Sequence, residues 1–329
     1  MILLLGASGY VGQAFARELR WRRWSFIPLT RRAIDYTDFD SLFYYIRNMR
    51  PEFVVNAAGY APNPNVDACE LVREEVLCAN ALLPQTIARA CLMTNTPWGH
   101  VSSGSIYTGA KVAAQWGRMR VERDLNRPEL RRLFAGHPEE IHGFTEWDEP
   151  NFSFRHAPCN FYSGSKALAE EAIRGVGASY IWRPRMLFNE LDEDRNLLSK
   201  LQFYPKIYDG VNSISHLDDF VRACLDLWER RAPFGIYNVV NPGATTTRRI
   251  AEMIQHIARP HRIFEFWKDD EEFYRCAARV PRSNCVLDTS KLLATGVKMR
   301  PLEEALTDAL QRWQPAGVPL EFAAAASGR

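Results

Sequence analysis

The stretch Ile2-Leu3-Leu4-Leu5-Gly6-Ala7-Ser8-Gly9-Tyr10-Val11-Gly12 decides the fold. Four consecutive apolar residues suit a strand buried on both faces of a parallel sheet, because such a strand has no solvent side to alternate with. The glycines permit a tight turn, let backbone approach a pyrophosphate, and allow a helix to pack closely on the strand. Val11–Trp21 has helical spacing, so the turn feeds a helix N-terminus, whose free N–H groups and positive dipole end favour phosphate. The spacing is GxxGxxG rather than GxGxxG. Its place at residue 6, after an apolar run, assigns Gly6, Ser8, Gly9, Tyr10, Val11 and Gly12 to a dinucleotide.

Outward from this turn, Trp24–Leu29 reads as a second strand, Asp38–Arg47 as a helix and Phe53–Asn56 as a third strand. A helix near Val76–Met93, a strand around His100–Ser102, a helix over Tyr162–Arg174 and a strand at Ser179–Arg183 follow. Strands alternating with helices of about a dozen residues mean βαβ units. The expected fold is therefore α/β: a Rossmann doubly wound parallel sheet with a smaller C-terminal α/β substrate lobe. Residues 1–183 form the dinucleotide-binding domain, with 211–245 returning to it; 184–210 and 246–315 form the substrate lobe, and 316–329 a flexible tail. Ala110–Glu140 interrupts the rhythm; it is charged and mostly helix-compatible, and reads as a lid or a subunit contact.

Composition narrows the classes. A hydrophobic share of 47% and a charged share of 24% are those of an ordinary globular protein, and the net charge of +2 gives no ground for nucleic acid or an acidic membrane surface. The arginines of 118–132 are broken up by Glu122, Asp124 and Glu129, as on a solvated face. Seven widely spaced cysteines without a CxxC pair support neither a disulfide framework nor a metal site. The apolar start is too short for a signal peptide or a membrane span, so a cytoplasmic setting is expected.

The end of the second strand selects the cofactor. An NAD enzyme usually places an acid there for the ribose 2′-hydroxyl. Here the strand ends Leu29-Thr30-Arg31-Arg32, and the nearest acid is Asp35. The guanidinium groups of Arg31 and Arg32 suit the 2′-phosphate of NADP(H), with NAD(H) the alternative. Ala57, Ala58 and Gly59, after the third strand, are small enough for backbone to pass beneath the riboses.

Tyr162-Ser-Gly-Ser-Lys166 carries a YxxxK spacing, which puts both side chains on one helix face. A phenol is a weak acid at neutral pH unless its anion is stabilised, and the Lys166 ammonium does that while also reaching the nicotinamide ribose. Val101-Ser102-Ser103-Gly104-Ser105 supplies the hydroxyl that such a pair needs; Ser103 is the choice by register, to hydrogen-bond the carbonyl oxygen that Tyr162 protonates.

These residues together resemble the extended short-chain dehydrogenases, and within them the dTDP-4-dehydrorhamnose reductases and the plant nucleotide-rhamnose epimerase-reductases. The likeness runs through Pro64–Asp67, Glu149–Phe152, Phe161–Lys166, Arg183–Met186, Asp194–Asn196, Asn212–Ile214, Gly235–Gly243 and Pro281–Asn284 with Asp288. It implies an NADPH-dependent reductase of a nucleotide-diphosphate sugar with a 4-keto-6-deoxy ring, and a homodimer. Ser105, Arg185, Lys200, Asn212 and Arg282 would lie around the sugar or its diphosphate. Asp218, Asp219 and Asp288 read instead as helix caps. The related sugar dehydratases carry an Asp-Glu pair where this chain has Gly104 and Ser105, so the resemblance does not extend to dehydration. The plant enzymes carry a cysteine at the Ser105 position, linked with Lys200 to 3,5-epimerisation; a serine is a far weaker proton donor than a thiol. Two other readings stand beside reduction: a 4-epimerase with the same three side chains, and a non-catalytic NADP-binding regulatory subunit.

Overall fold

The computed structural model describes residues 1–114 and 118–316. Its centre is a six-stranded parallel sheet of β1 (Ile2–Leu5), β2 (Phe26–Leu29), β3 (Phe53–Asn56), β4 (Trp98–Val101), β5 (Ser179–Arg183) and β6 (Gly235–Asn238), in spatial order β6-β5-β4-β3-β1-β2. Strand order reverses between β1 and β3, and the crevice at such a switch point is where α/β sheets bind ligands.

The alternation of side chains within the apolar strands explains the two layers. Ile2, Leu4, Phe53 and Val55 face one way, onto α1 (Tyr10–Trp21) and a later helix over Leu217–Glu229. Leu3, Leu5 and Val54 face the other, onto α2 (Phe39–Met49), α3 (Arg73–Met93) and α4 (Phe161–Ile173). The helix over Leu217–Glu229 is α5. Helix α3 is long and apolar, and it spends that apolarity on the sheet, burying Leu83, Ile87, Ala90 and Cys91 against Trp98 and Val54. A π-turn at Cys78–Leu82 interrupts its α-helical bonding.

The lobe beyond β5 has its own core of Phe188, Leu198, Leu201, Ile207, Ile250, Ile254, Leu306 and Leu310. The chain re-enters the sheet layers through α5 and β6, which is narrower than 211–245. Val211–Asn212 and Thr245–Thr246 pair antiparallel with each other, outside the central sheet. Leu292, Val297 and Met299 in turn pack under the sheet with α1 and α5 rather than in the lobe. Most of the expected tail, 317–329, lies outside the described residues.

Residues 110–140 differ from the helical expectation. Strands Ala110–Ala113, Met119–Glu122 and Ile141–His142 form a three-stranded antiparallel sheet; among the described residues of this stretch Pro128–Gly136 is α-helical and Pro138–Glu140 a 3-10 turn, and 115–117 lie outside them. Ala110 and Val112 point inward while Lys111 and Ala113 point out, a period of two concealed by the charged composition. The unit is a wall of the lobe. Leu125, Leu130 and Ile141 share a core with Val211 and Val286. Arg131 pairs with Asp209, and the Asn126 amide donates to the Tyr208 hydroxyl at 2.8 Å and to Asp270 at 2.9 Å.

Candidate active site

The crevice between β1 and β3 opens into a cavity of about 780 Å³, lined by Gly6, Ser8, Gly9, Arg31, Ala57, Ala58, Gly59 and the facing side of α3. Two of the glycines are dictated by contact. A Cβ on Gly6, whose φ is +76°, would lie 2.5 Å from the Ala58 nitrogen, and one on Gly12 would lie 2.0 Å from the Gly6 carbonyl oxygen. Gly9 caps α1 without a side chain, so the first-turn N–H groups stay free for an anion. Tyr10 and Val11 have only backbone to offer an anion there, because their side chains pack against the core beneath α1.

Arg31 lies on the cavity wall, and Arg32 is not among its lining residues. Asp35 is turned onto Thr37, whose hydroxyl and N–H donate to it at 2.5 and 3.0 Å; these bonds hold its carboxyl below the usual range. The loop carrying Ala57, Ala58 and Gly59 is pinned from both sides. Ala57 N–H donates to Leu5, Ala58 N–H to the Asn56 side chain, and Tyr60 N–H to Asn80. The Asn56 amide reaches His100 Nδ1 at 3.0 Å, and burial holds His100 neutral.

Helix α4 begins where Asn160 accepts from Ser163 N–H and Glu70 accepts from Phe161 N–H. Tyr162 and Lys166 then share one face, as the spacing predicts. Lys166 Nζ donates to the Val101 carbonyl at 3.2 Å and sits 3.5 Å from where a Gly59 Cβ would be. The amine therefore borders the cofactor cavity. Burial brings its pKa down to about 8, and Glu170 one turn along opposes that shift. Burial pushes the Tyr162 phenol up to about 12; the Ser103 hydroxyl, then Arg195 and Arg185, pull the other way. Ser103 Oγ donates to Ser105 Oγ at 2.9 Å and accepts from Ser105 N–H at 3.1 Å. The structure thus gathers Ser103, Ser105, Tyr162 and Lys166 into one group.

The residues assigned to the sugar separate into two kinds. Arg185 is buried and, among the described residues, is in no ion pair; its guanidinium donates to Asn212 Oδ1, the Ser283 hydroxyl and the Ser283 carbonyl. Burial lowers its pKa, and its charge bears on Tyr162. Asn212 acts through Arg185, and also holds Asn284 and the Cys285 N–H. Lys200 is in no ion pair among the described residues, and burial followed by the neighbouring Arg195 lowers its pKa. Arg282 is different. It makes a fork onto Asp67, two bonds of 2.7 Å, and so ties the loop after β3 to the lobe.

Several residues at the site had no assignment from sequence. Asn80, buried in the α3 π-turn, bonds Tyr60 and the Ser165 hydroxyl, and its sequence neighbours carry no signal of this. Arg195 donates to the Ala61 and Pro62 carbonyls just beyond Gly59; it lies within a segment of likeness that had no role attached. Glu170 continues the Tyr162, Lys166 spacing by one more turn, which was a readable signal.

Comparison with known proteins agrees with this geometry. Residues 1–129 match the family model described as RmlD substrate binding domain. The bifunctional dTDP-4-dehydrorhamnose 3,5-epimerase/dTDP-4-dehydrorhamnose reductase of Arabidopsis thaliana is 28% identical over 306 residues, 92% of this chain and 90% of its own length. A trifunctional UDP-glucose 4,6-dehydratase/UDP-4-keto-6-deoxy-D-glucose 3,5-epimerase/UDP-4-keto-L-rhamnose-reductase from the same plant is 30% identical over 92% of this chain. This chain spans only 41% of that relative's length. Among solved structures, the UDP-rhamnose synthase of Acanthamoeba polyphaga mimivirus superposes with a TM-score of 0.77 at 20% identity, covering 94% of this chain and 98% of its own, which shows a shared fold.

Proposed function

We propose, from the premise that this chain is a relative of the dTDP-4-dehydrorhamnose reductases and the plant epimerase-reductases, that it reduces the 4-ketone of a nucleotide-linked 4-keto-6-deoxy sugar with NADPH. The observation that carries this reading is the junction at Gly59. There the cofactor cavity meets Lys166, and Tyr162 on the same helix looks toward the cations of the lobe.

A bound NADPH supplies a hydride for the carbonyl carbon. Tyr162 gives its phenolic proton to the carbonyl oxygen, Ser103 hydrogen-bonds that oxygen, and Lys166 stabilises the phenolate that remains. Arg31, on the cavity wall, would hold the 2′-phosphate of NADPH. Arg185, Arg195 and Lys200 offer the positive charge that a sugar diphosphate requires. Arg282 is spent on Asp67, and its part is to fix the loop beneath them. All seven cysteines are free thiols, and a reducing cytoplasm is the setting we assign.

Lys200 favours a second activity at the same site, 3,5-epimerisation ahead of reduction, because an amine brought down in pKa can move protons at the sugar carbons. Ser105, bonded to Ser103, contributes no thiol to it. One experiment reads both. The protein is mixed in D2O with NADPH and either the 4-keto-6-deoxyglucose nucleotide or its already epimerised 4-keto-rhamnose counterpart. NADPH oxidation reports reduction, and deuterium at C3 and C5 reports epimerisation. Oxidation with neither ketone would refute the proposal.

A further inference from the structure

The carboxylate of Glu170 is buried inside the site at 2% exposure, and the reaction outlined above leaves it without a task. Its Oε1 accepts from the Ser102 hydroxyl at 2.5 Å and from Arg183 Nε at 3.0 Å. Its Oε2 accepts from Arg183 Nε at 3.1 Å and Nη2 at 2.5 Å. Arg183 carries the chain of bonds onward, donating to the Tyr107 hydroxyl at 3.0 Å, which itself donates to the Asp148 carbonyl at 2.7 Å. Each connection leads to a piece of the site. Ser102 precedes Ser103, Arg183 ends β5 two residues before Arg185, and Glu170 lies on the helix of Tyr162 and Lys166.

A buried ion pair adds little net stability over an apolar pair of the same shape, so stability alone does not account for this one. We propose that Glu170 is a positioning residue for the reduction: it fixes the Ser103 strand, the Arg185 strand and the Tyr162 helix in one register, and it sets a negative charge one turn from Lys166. Around Lys166, Arg183 on the far side of Glu170 balances that charge in part, and the other groups are neutral. From β4 comes His100, held neutral by burial; from α4 come Tyr162 and Glu170; behind Glu170, on β5, stands Arg183; Gly59 and Asn80 carry no charge. Among the described residues Glu170 is the acid that favours the ammonium form of Lys166, against the burial that disfavours it.

Glu170→Gln keeps the shape and removes the charge. NADPH binding, followed by fluorescence from about pH 6 to about pH 9, should lose affinity at lower pH than in the wild type. Near pH 8 the variant should bind about fivefold more weakly for a drop of about one unit in Lys166, while near pH 6 the two agree. Turnover of the ketone should fall about tenfold in kcat with KM little changed. A folded variant with the wild-type binding profile and kcat would overturn the inference. Arg183 left unpaired in the interior can cost several kcal/mol. If that prevents folding, Glu170→Gln with Arg183→Gln supplies a neutral pair, for which a smaller displacement and the same loss of kcat are expected, and an unchanged profile and kcat there also overturn it. The kcat arm rests on the reductase reading; the binding arm does not. Wild-type protein that binds NADPH but turns over neither ketone counts against the reductase and leaves the binding profile to judge Glu170.

Discussion

Gly6, Gly9 and Gly12 shape the end of the cleft proposed for the cofactor from the backbone of a single turn, whereas the end proposed for the sugar has the long side chains of Arg185, Arg195 and Lys200, with Arg282 tied back onto Asp67. A site made of backbone needs only local geometry, and its glycines declare themselves. A site made of long side chains depends on who else claims them. Arg185 and Arg282 show this. Both are arginines of the same pattern of likeness, but Arg185 donates to the neutral Asn212 and Ser283, while Arg282 is neutralised by Asp67.

The most severe way to test the division is at the point where the two ends meet. Tyr162→Phe removes the proton donor without touching the glycine turn. Reduction should fall about a thousandfold, within the range for general acids, and NADPH affinity by fluorescence should stay within about twofold. Strong loss of affinity would show that the ends are not separable at this residue.

Next in size, Arg185→Gln and Arg282→Gln should part company. Loss of a charge-assisted contact to substrate at Arg185 should lower kcat/KM by about tenfold to a hundredfold. At Arg282 the fork is partly exposed, at 16% for each side chain, so its loss should cost about 1 kcal/mol or less of stability, read as a lower Tm, with a smaller kinetic effect. Equal kinetic losses with an unchanged Tm in Arg282→Gln would place Arg282 on the ligand. At the rim the effect is confined to the choice of cofactor. Arg31→Ala should weaken NADPH about tenfold and NADH hardly at all, and the difference should shrink as salt is raised. Arg32→Ala, off the cavity wall, should do little; the reverse ranking would exchange their roles.

The same contrast governs what could be read from the amino acids. Ile2–Leu5, Phe53–Asn56 and Ser179–Arg183 appear in the structure with the bounds their apolar runs suggested, because burial on both faces leaves no ambiguity. Tyr162, Lys166 and Ser103 converge because helix periodicity and one strand end settle them. The hairpin of residues 110–122 was illegible: Ala110 and Val112 are its inward pair, too few to establish a period of two beside so many charges. The partner of Arg282 was out of reach for another reason. Asp67 is 215 residues away, and no local pattern signals a pairing over that separation.

Asp67 collects donors from Arg279, Val280 and both terminal nitrogens of Arg282, and the loop it sits on leads directly from Gly59. This sets the rule for exchanging modules between this chain and its relatives. A junction drawn at the end of β5 would hand over the sugar lobe and leave its anchor behind on the Rossmann half. A functional chimaera must carry residues 60–70 together with 279–282, so the unit that can be swapped is discontinuous in sequence although it is continuous in space.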